Sequence, residues 1–191
     1  MFFNRFAKRE APYPLVVGMT GVKLGDRVLQ IGCSNGGPLA AIAAKVGLSG
    51  RALAVVADEA SSLRAQKAAA SLGVLVEVEQ SANPRLPVDD GAFDLVVVDD
   101  AGGSFSAMRA DDRASTLREA ARVVRPGGRA MIIGATPPQG LSALLSRGST
   151  VPSIALSGEA ASALEAAGFR GARTLAEREG FVFVEGIRPR Q

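Results

Sequence analysis

Asp26-Arg-Val-Leu-Gln-Ile-Gly-Cys-Ser-Asn-Gly-Gly37 is the stretch whose reading decides the fold. Its apolar run, Val28-Leu29-Gln30-Ile31, stops at Gly32. Two further glycines follow at Gly36 and Gly37, and an alanine-rich helical pattern begins behind them. Strand, glycine loop and helix in that order form a cradle for a nucleotide-like ligand. Glycines let the backbone turn tightly and approach the ligand, and the first helical turn offers free N–H groups to an anion. By itself the loop leaves the ligand open.

Outward from this loop, short apolar runs alternate with helical patterns. Pro38–Val46 reads as a helix, with proline in its first turn and Gly47 just past its end. Arg51–Ala57 is a buried strand ending at Asp58-Glu59, Ala60–Leu72 a second helix closed by Gly73, and Val74–Glu79 a strand near a sheet edge. After the polar loop Ser81–Ala92, Phe93–Val98 is among the most apolar runs and is therefore placed centrally. It ends in Asp99-Asp100-Ala-Gly-Gly-Ser104, and Ser104–Val124 reads as the longest helix, stopped by Arg125-Pro-Gly-Gly128. Arg129–Ala135 is a fifth strand. Thr136–Ser157 is broken by prolines and glycines, and Gly158–Ala167 is a last helix. Phe169–Glu177 and Phe181–Ile187 are joined so tightly at Glu179-Gly180 that they must be antiparallel.

This order predicts an α/β fold: one doubly wound, Rossmann-like sheet of seven strands, mostly parallel, with a C-terminal antiparallel hairpin. Residues 1–20 are expected as an N-terminal arm or helix and 21–191 as the domain. Ligands of such sheets bind at the carboxyl ends of the strands, here Gly32–Gly36, Asp58, Ser81–Asn83 and Asp99–Gly103.

Composition narrows the chemistry. With 191 residues, 47% of them apolar, the chain can bury a full core, and its net charge of +3 is too small to argue for nucleic acid or an anionic membrane. One cysteine excludes an internal disulfide framework and fits a reducing compartment, so a cytoplasmic location is expected. The absence of histidine removes histidine-dependent triads and most catalytic zinc sites, and no metal is expected. Met1–Glu10 lacks the long apolar core of a secretory signal. Phe2, Phe3 and Phe6 suit an arm that packs on the domain, with weak contact to a membrane surface as its alternative. No apolar run approaches a membrane span, so stable insertion is not expected.

A nicotinamide cofactor would want G-x-G-x-x-G, but Ser34 stands where the central glycine would touch a pyrophosphate. The chain instead resembles the class I S-adenosylmethionine-dependent methyltransferases, on four stretches in matching order. They are Val28-Leu-Gln-Ile-Gly-Cys-Ser-Asn-Gly36, Ala54-Val-Val-Ala-Asp58, Leu86-Pro-Val-Asp-Asp-Gly-Ala-Phe-Asp-Leu-Val-Val97 and Leu117-Arg-Glu-Ala-Ala-Arg-Val-Val-Arg-Pro-Gly-Gly128. The last two are the most specific, and the closing hairpin fits the family's reversed final strand.

The resemblance implies S-adenosylmethionine as cofactor. Gly32, Cys33, Ser34 and Gly36 would lie along its methionine part, and Asp58, with Glu59 beside it, would accept from the ribose hydroxyls. Two positions depart from the family. The usual acid before the loop is Gln30, which keeps an accepting oxygen without the charge. The adenine-contacting acid after strand three is replaced by Ala82 or Asn83, of which Asn83 offers an amide to the adenine edge. Asp99 and Asp100 close strand four, where the transferred methyl should sit, and are the candidates for a catalytic or cofactor-facing acid. The acceptor expected is a small molecule, since no Asn-Pro-Pro-Tyr-like tetrapeptide and no concentrated basic face marks nucleic acid. The alternatives are a methyltransferase-like domain that has become a binding or scaffold module, and a nicotinamide-dependent reductase. Oligomeric state is left open.

Overall fold

In the computed structural model, residues 13–81, 85–136 and 151–190 are described. Seven strands form one sheet: β1 (Arg27–Ile31), β2 (Arg51–Val56), β3 (Glu77–Gln80), β4 (Phe93–Asp100), β5 (Val124–Ala135), β6 (Arg170–Arg178) and β7 (Phe181–Ile187). The order across the sheet is β3-β2-β1-β4-β5-β7-β6, which makes β4 the middle strand, as its apolar run predicts. β1 to β5 pair in parallel, and β7 runs antiparallel to both β5 and β6. β3 and β6 are the edges. The helices are α1 (Pro14–Thr20), α2 (Gly36–Val46), α3 (Glu59–Leu72), α4 (Ala110–Val123) and α5 (Glu159–Ala166).

Side chains alternate along each strand, so the sheet separates two cores. Val28, Leu95, Val97, Met131, Ile133 and Phe183 pack with Val16 of α1 and Ile42 of α2 on one face. Leu39 of α2 and Ala65 of α3 continue that layer over Ala54 and Val56. On the other face Leu29, Val96, Val98 and Ile132 meet Leu117 and Ala120 of α4 and Leu164 of α5. Among the described residues no helix is long and apolar enough to cross a membrane.

The two most family-specific stretches are fastened to each other. From α4, Arg122 donates to Leu86 O at 3.0 Å, Val88 O at 2.9 Å and Asp90 Oδ1 at 2.6 Å. It also donates to both Glu119 oxygens, and Glu119 Oε2 accepts from the Leu86 amide at 2.9 Å. One guanidinium thus holds the loop that leads into β4, which buries Leu86 against the core.

Three elements differ most from the sequence reading, the other boundaries shifting by one or two residues. α4 begins at Ala110 rather than Ser104, because buried Asp100 takes the Ser106 amide at 2.9 Å and folds residues 101–108 into turns. β5 begins at Val124 rather than Arg129. There Gly127 donates to Arg188 O and Arg188 to Gly128 O, which keeps the proline–glycine run extended across a register shift. β3 is shorter than Val74–Glu79, and spans Glu77–Gln80.

Candidate active site

β1 ends in a turn that needs glycine: Gly32 has φ 82°, and its amide donates to Val55 O at 2.9 Å. The loop then reaches across to β4. The Ser34 amide donates to Asp99 Oδ2 at 2.8 Å, Ser34 Oγ donates to Asp99 Oδ1 at 2.6 Å, and Ala101 N adds a third bond at 3.1 Å. Ser34 fits because residue 102 is glycine, where a Cβ would fall 2.7 Å from the Ser34 Cβ. Burial pushes the Asp99 carboxyl above the usual carboxylate range, its bonds from Ser34 and Ala101 oppose that, and the Asp100 charge adds to it. Gln30 is buried and donates from Nε2 to Gly32 O at 3.0 Å, which leaves its Oε1 as the amide's acceptor.

Asp99 and Asp100 separate. Successive residues of a strand face opposite sides of the sheet, so Asp99 joins the α1–α2 face and Asp100 the α4–α5 face. Asp100 is fully buried and accepts from Ser106 N, from Ser106 Oγ at 2.6 Å and from Ser153 Oγ at 2.5 Å. Ser106 Oγ in turn accepts from Ile154 N at 2.8 Å. Asp100 thus ties the end of β4 to residues 153–155, and it is not among the residues that line the cavity.

That cavity, about 370 Å³, opens at the carboxyl edge of the sheet. Its near side is Gln30, Ser34, Asn35 and Pro38, its centre Val97, Asp99, Ala101 and Gly102, and its far side Ile133, Ala135, Glu179, Gly180 and Phe181. Asn35 caps α2 by accepting from Gly37 N at 3.0 Å. Of the expected cofactor residues, Gln30, Ser34 and Asp99 line this space together. Gly36 instead lets α2 approach α3, since a Cβ there would fall 2.5 Å from the Ala68 Cβ and 2.6 Å from Arg64 O.

Asp58 caps α3 by accepting from Ser61 N at 2.8 Å and Ser61 Oγ at 2.9 Å, which holds its carboxyl below the usual range. Glu59 is the exposed first residue of that helix. Neither lines the cavity. Cys33 is buried, and burial together with the Asp99 charge pushes its thiol up to about 11. Its carbonyl accepts from Arg64 Nε at 3.1 Å. Ala82 and Asn83 lie outside the described residues.

Sequence reasoning missed the far wall and Arg64. The signal for the wall was available: an antiparallel strand beside β5 must begin at the carboxyl end of β5, so the turn before it belongs to the ligand-binding edge. No local pattern announces Arg64.

Residues 28–128, more than half of the 191-residue chain, match a family model described as a methyltransferase domain. The chain is 36% identical over 116 residues to the 27-O-demethylrifamycin SV methyltransferase of Amycolatopsis mediterranei, an alignment covering 60% of this chain and 40% of that protein. It is 26% identical over 124 residues to the ubiquinone/menaquinone biosynthesis C-methyltransferase UbiE of Cronobacter sakazakii, covering 64% and 47%. The chain thus spans less than half the length of these two relatives. Its fold is similar to that of a SAM-dependent methyltransferase from Aquifex aeolicus, with a TM-score of 0.69, 22% identity and coverage of 91% and 87%. It is also similar to the [4+2]-cyclase SpnF, at 0.68, 17%, 93% and 79%.

Proposed function

We propose that this chain, which belongs to the methyltransferase domain family of class I S-adenosylmethionine-dependent enzymes, transfers a methyl group to a small-molecule acceptor in the cavity between β1 and β7. The cofactor of that family is S-adenosylmethionine, and the residues present suit it. Gln30 Oε1 and the Asp99 carboxylate would supply acceptors for its cationic end, and the start of α2 would face its carboxylate. The proposed cofactor set is Gln30, Gly32, Cys33, Ser34, Gly36, Asp58, Glu59, Ala82, Asn83 and Asp99, with Asp99 as the contact nearest the transfer. Residues 1–20 are proposed as an arm on a domain of residues 21–191. The acceptor proposed is not a nucleic acid, and the location proposed is the cytoplasm.

When bound, the cofactor supplies a sulfonium methyl that an acceptor's lone pair displaces in line, its C–S bond electrons passing to sulfur. The chain then has to align the reactants and exclude water, which asks for no histidine. Ser34 and Gly102 bring the glycine loop against β4, Asp99 sits at the centre of the cavity, and Val97, Ile133 and Phe181 make its wall apolar.

The observation that carries this reading is the cavity itself. It lies at the carboxyl ends of β1, β4 and β5, directly beside the glycine loop. A binding or scaffold module is the second reading, favoured by the Ser34 amide and hydroxyl being already committed to Asp99. Calorimetric titration with S-adenosylmethionine, S-adenosylhomocysteine and NADH tests both. Loss of binding to both sulfur ligands refutes the main proposal, and tight binding without transfer to any acceptor favours the second. Asp58→Ala should weaken S-adenosylmethionine strongly if the ribose rests there, and unchanged affinity would remove Asp58 from the set.

A further inference from the structure

Two non-glycine residues among those described have left-handed backbones, Tyr13 at φ 56° and Glu179 at φ 53°. Glu179 lines the cavity, and Tyr13 stands behind that wall. Tyr13 packs edge-on against Phe181, ring centroids 6.5 Å apart, and Phe181 and Glu179 line the space. Glu179 and Gly180, the latter at φ 80°, are the two residues between the paired Arg178 and Phe181. Positive φ at both marks a type I′ turn, whose first central position favours asparagine, aspartate or glycine. Glutamate brings nothing to such a turn that asparagine does not provide with less strain. Strain of this kind persists where the surroundings impose it, often at functional sites. Here Thr136 N fixes the turn by donating to Gly180 O at 2.9 Å.

Charge in the cavity points the same way. The chain has 22 lysines and arginines, yet none is among the described lining residues, and the only ionisable side chains there are Asp99 and Glu179. Asp99 accepts from Ser34 and Ala101 and belongs to the proposed cofactor end. Glu179 is exposed, and among the described residues it makes no side-chain hydrogen bond or ion pair. Gln30 on β1 and Glu179 beside β7 stand three strand spacings apart, about 14 Å. The cofactor end and the Glu179 end are therefore distinct. Between Asp99 and Glu179 the surface is apolar: Val97, Ile133, Ala135 and Phe181.

We propose that Glu179 determines acceptor specificity, and that the acceptor is a small apolar molecule carrying a basic amine. The Glu179 carboxylate holds its ammonium group at the cavity mouth, and its apolar body lies along Phe181, Ala135 and Ile133. The ammonium is a handle: being protonated, it has no lone pair and is not the atom that takes the methyl. This rests on the methyltransferase reading above.

The test titrates the full chain, saturated with S-adenosylhomocysteine, with 2-phenylethylamine and 2-phenylethanol, which match in shape and differ in charge. The amine should bind more tightly than the alcohol. Glu179→Gln should weaken the amine about three- to fivefold, as a partly exposed ion pair does, most at low salt, and leave the alcohol unchanged. Glu179→Gly should lose the same preference while raising Tm, because glycine accepts the left-handed turn. A residue with only a structural role would not separate those two effects. Equal binding of both probes, no binding of the amine, or an amine preference that survives Glu179→Gln overturns the proposal. Failure to bind S-adenosylhomocysteine overturns the methyltransferase reading and this one with it; binding without amine preference overturns this one alone.

Discussion

Ser34→Ala removes one hydroxyl and keeps the Cβ that faces Gly102. Asp99 loses its shortest bond, 2.6 Å from Ser34 Oγ, and keeps the Ser34 and Ala101 amides. A hydrogen bond to a charged group contributes about 1.5–3 kcal/mol. Ser34 is half-buried beside an open cavity, where water can replace the hydroxyl, so the lower end, about 1.5 kcal/mol, is expected at pH 8. The Ser34 bonds pull the Asp99 pKa down against the burial that raises it. Their contribution is therefore present while Asp99 is ionised and shrinks as the pH falls and the carboxyl takes up a proton. Asp99 as a whole has the opposite sign. Its folded pKa stands above the unfolded one, so it favours the folded state at acid pH, and this advantage is lost as pH rises through the folded pKa. Urea melts of the wild type, Ser34→Ala, Asp99→Asn and the double variant, at pH 8 and pH 4, measure all of this. The double-mutant coupling should be about 1 kcal/mol or more at pH 8. A Ser34→Ala loss below about 0.5 kcal/mol, or one unchanged in the Asp99→Asn background, refutes the reasoning.

Gly102→Ala should force the glycine loop away from β4, because its Cβ would fall 2.7 Å from that of Ser34. Overpacking of this kind costs about 1–3 kcal/mol, and a cofactor affinity equal to wild type by calorimetry would show that the loop position is immaterial. Arg122→Met strips the donors from Leu86 O, Val88 O and Glu119, and should cost about 2–3 kcal/mol in urea melts at pH 7. The Arg122 bond holds the Glu119 carboxyl below its usual range, so this difference should narrow as pH falls through the lowered Glu119 pKa; a gap independent of pH would argue against the clamp. Cys33, buried and with its thiol pushed up to about 11, should resist iodoacetamide at pH 8 and react once unfolded in urea. Rapid labelling of the folded chain by mass spectrometry would contradict that burial.

Much of the fold is legible in the sequence because its signals are local. The run Val28–Ile31, the turn that only Gly32 accommodates and the alanine-rich helix behind it are each specified within a few residues. The hairpin is legible for the same reason, since two residues can join only antiparallel strands. The start of α4 is not, because the group that displaces it, Asp100, reaches Ser106 only after β4 has been buried and its carboxylate has no water to turn to.

The site divides along the same line. Sequence by itself determined the glycine cradle, the acids at the end of β4 and the stretches at residues 86–97 and 117–128. It did not determine that those two stretches exist to be clamped by Arg122, nor that Asp58 spends both oxygens on capping α3. Tertiary structure alone brought Glu179 and Phe181, about 150 residues beyond Gln30, to the same cavity. The physical reason is strand direction: β7 runs against β5, so the turn before it arrives at the edge where every parallel strand ends. Which groups meet across that edge depends on the order of strands in the sheet, and that order is fixed by long-range burial rather than by any neighbouring residue.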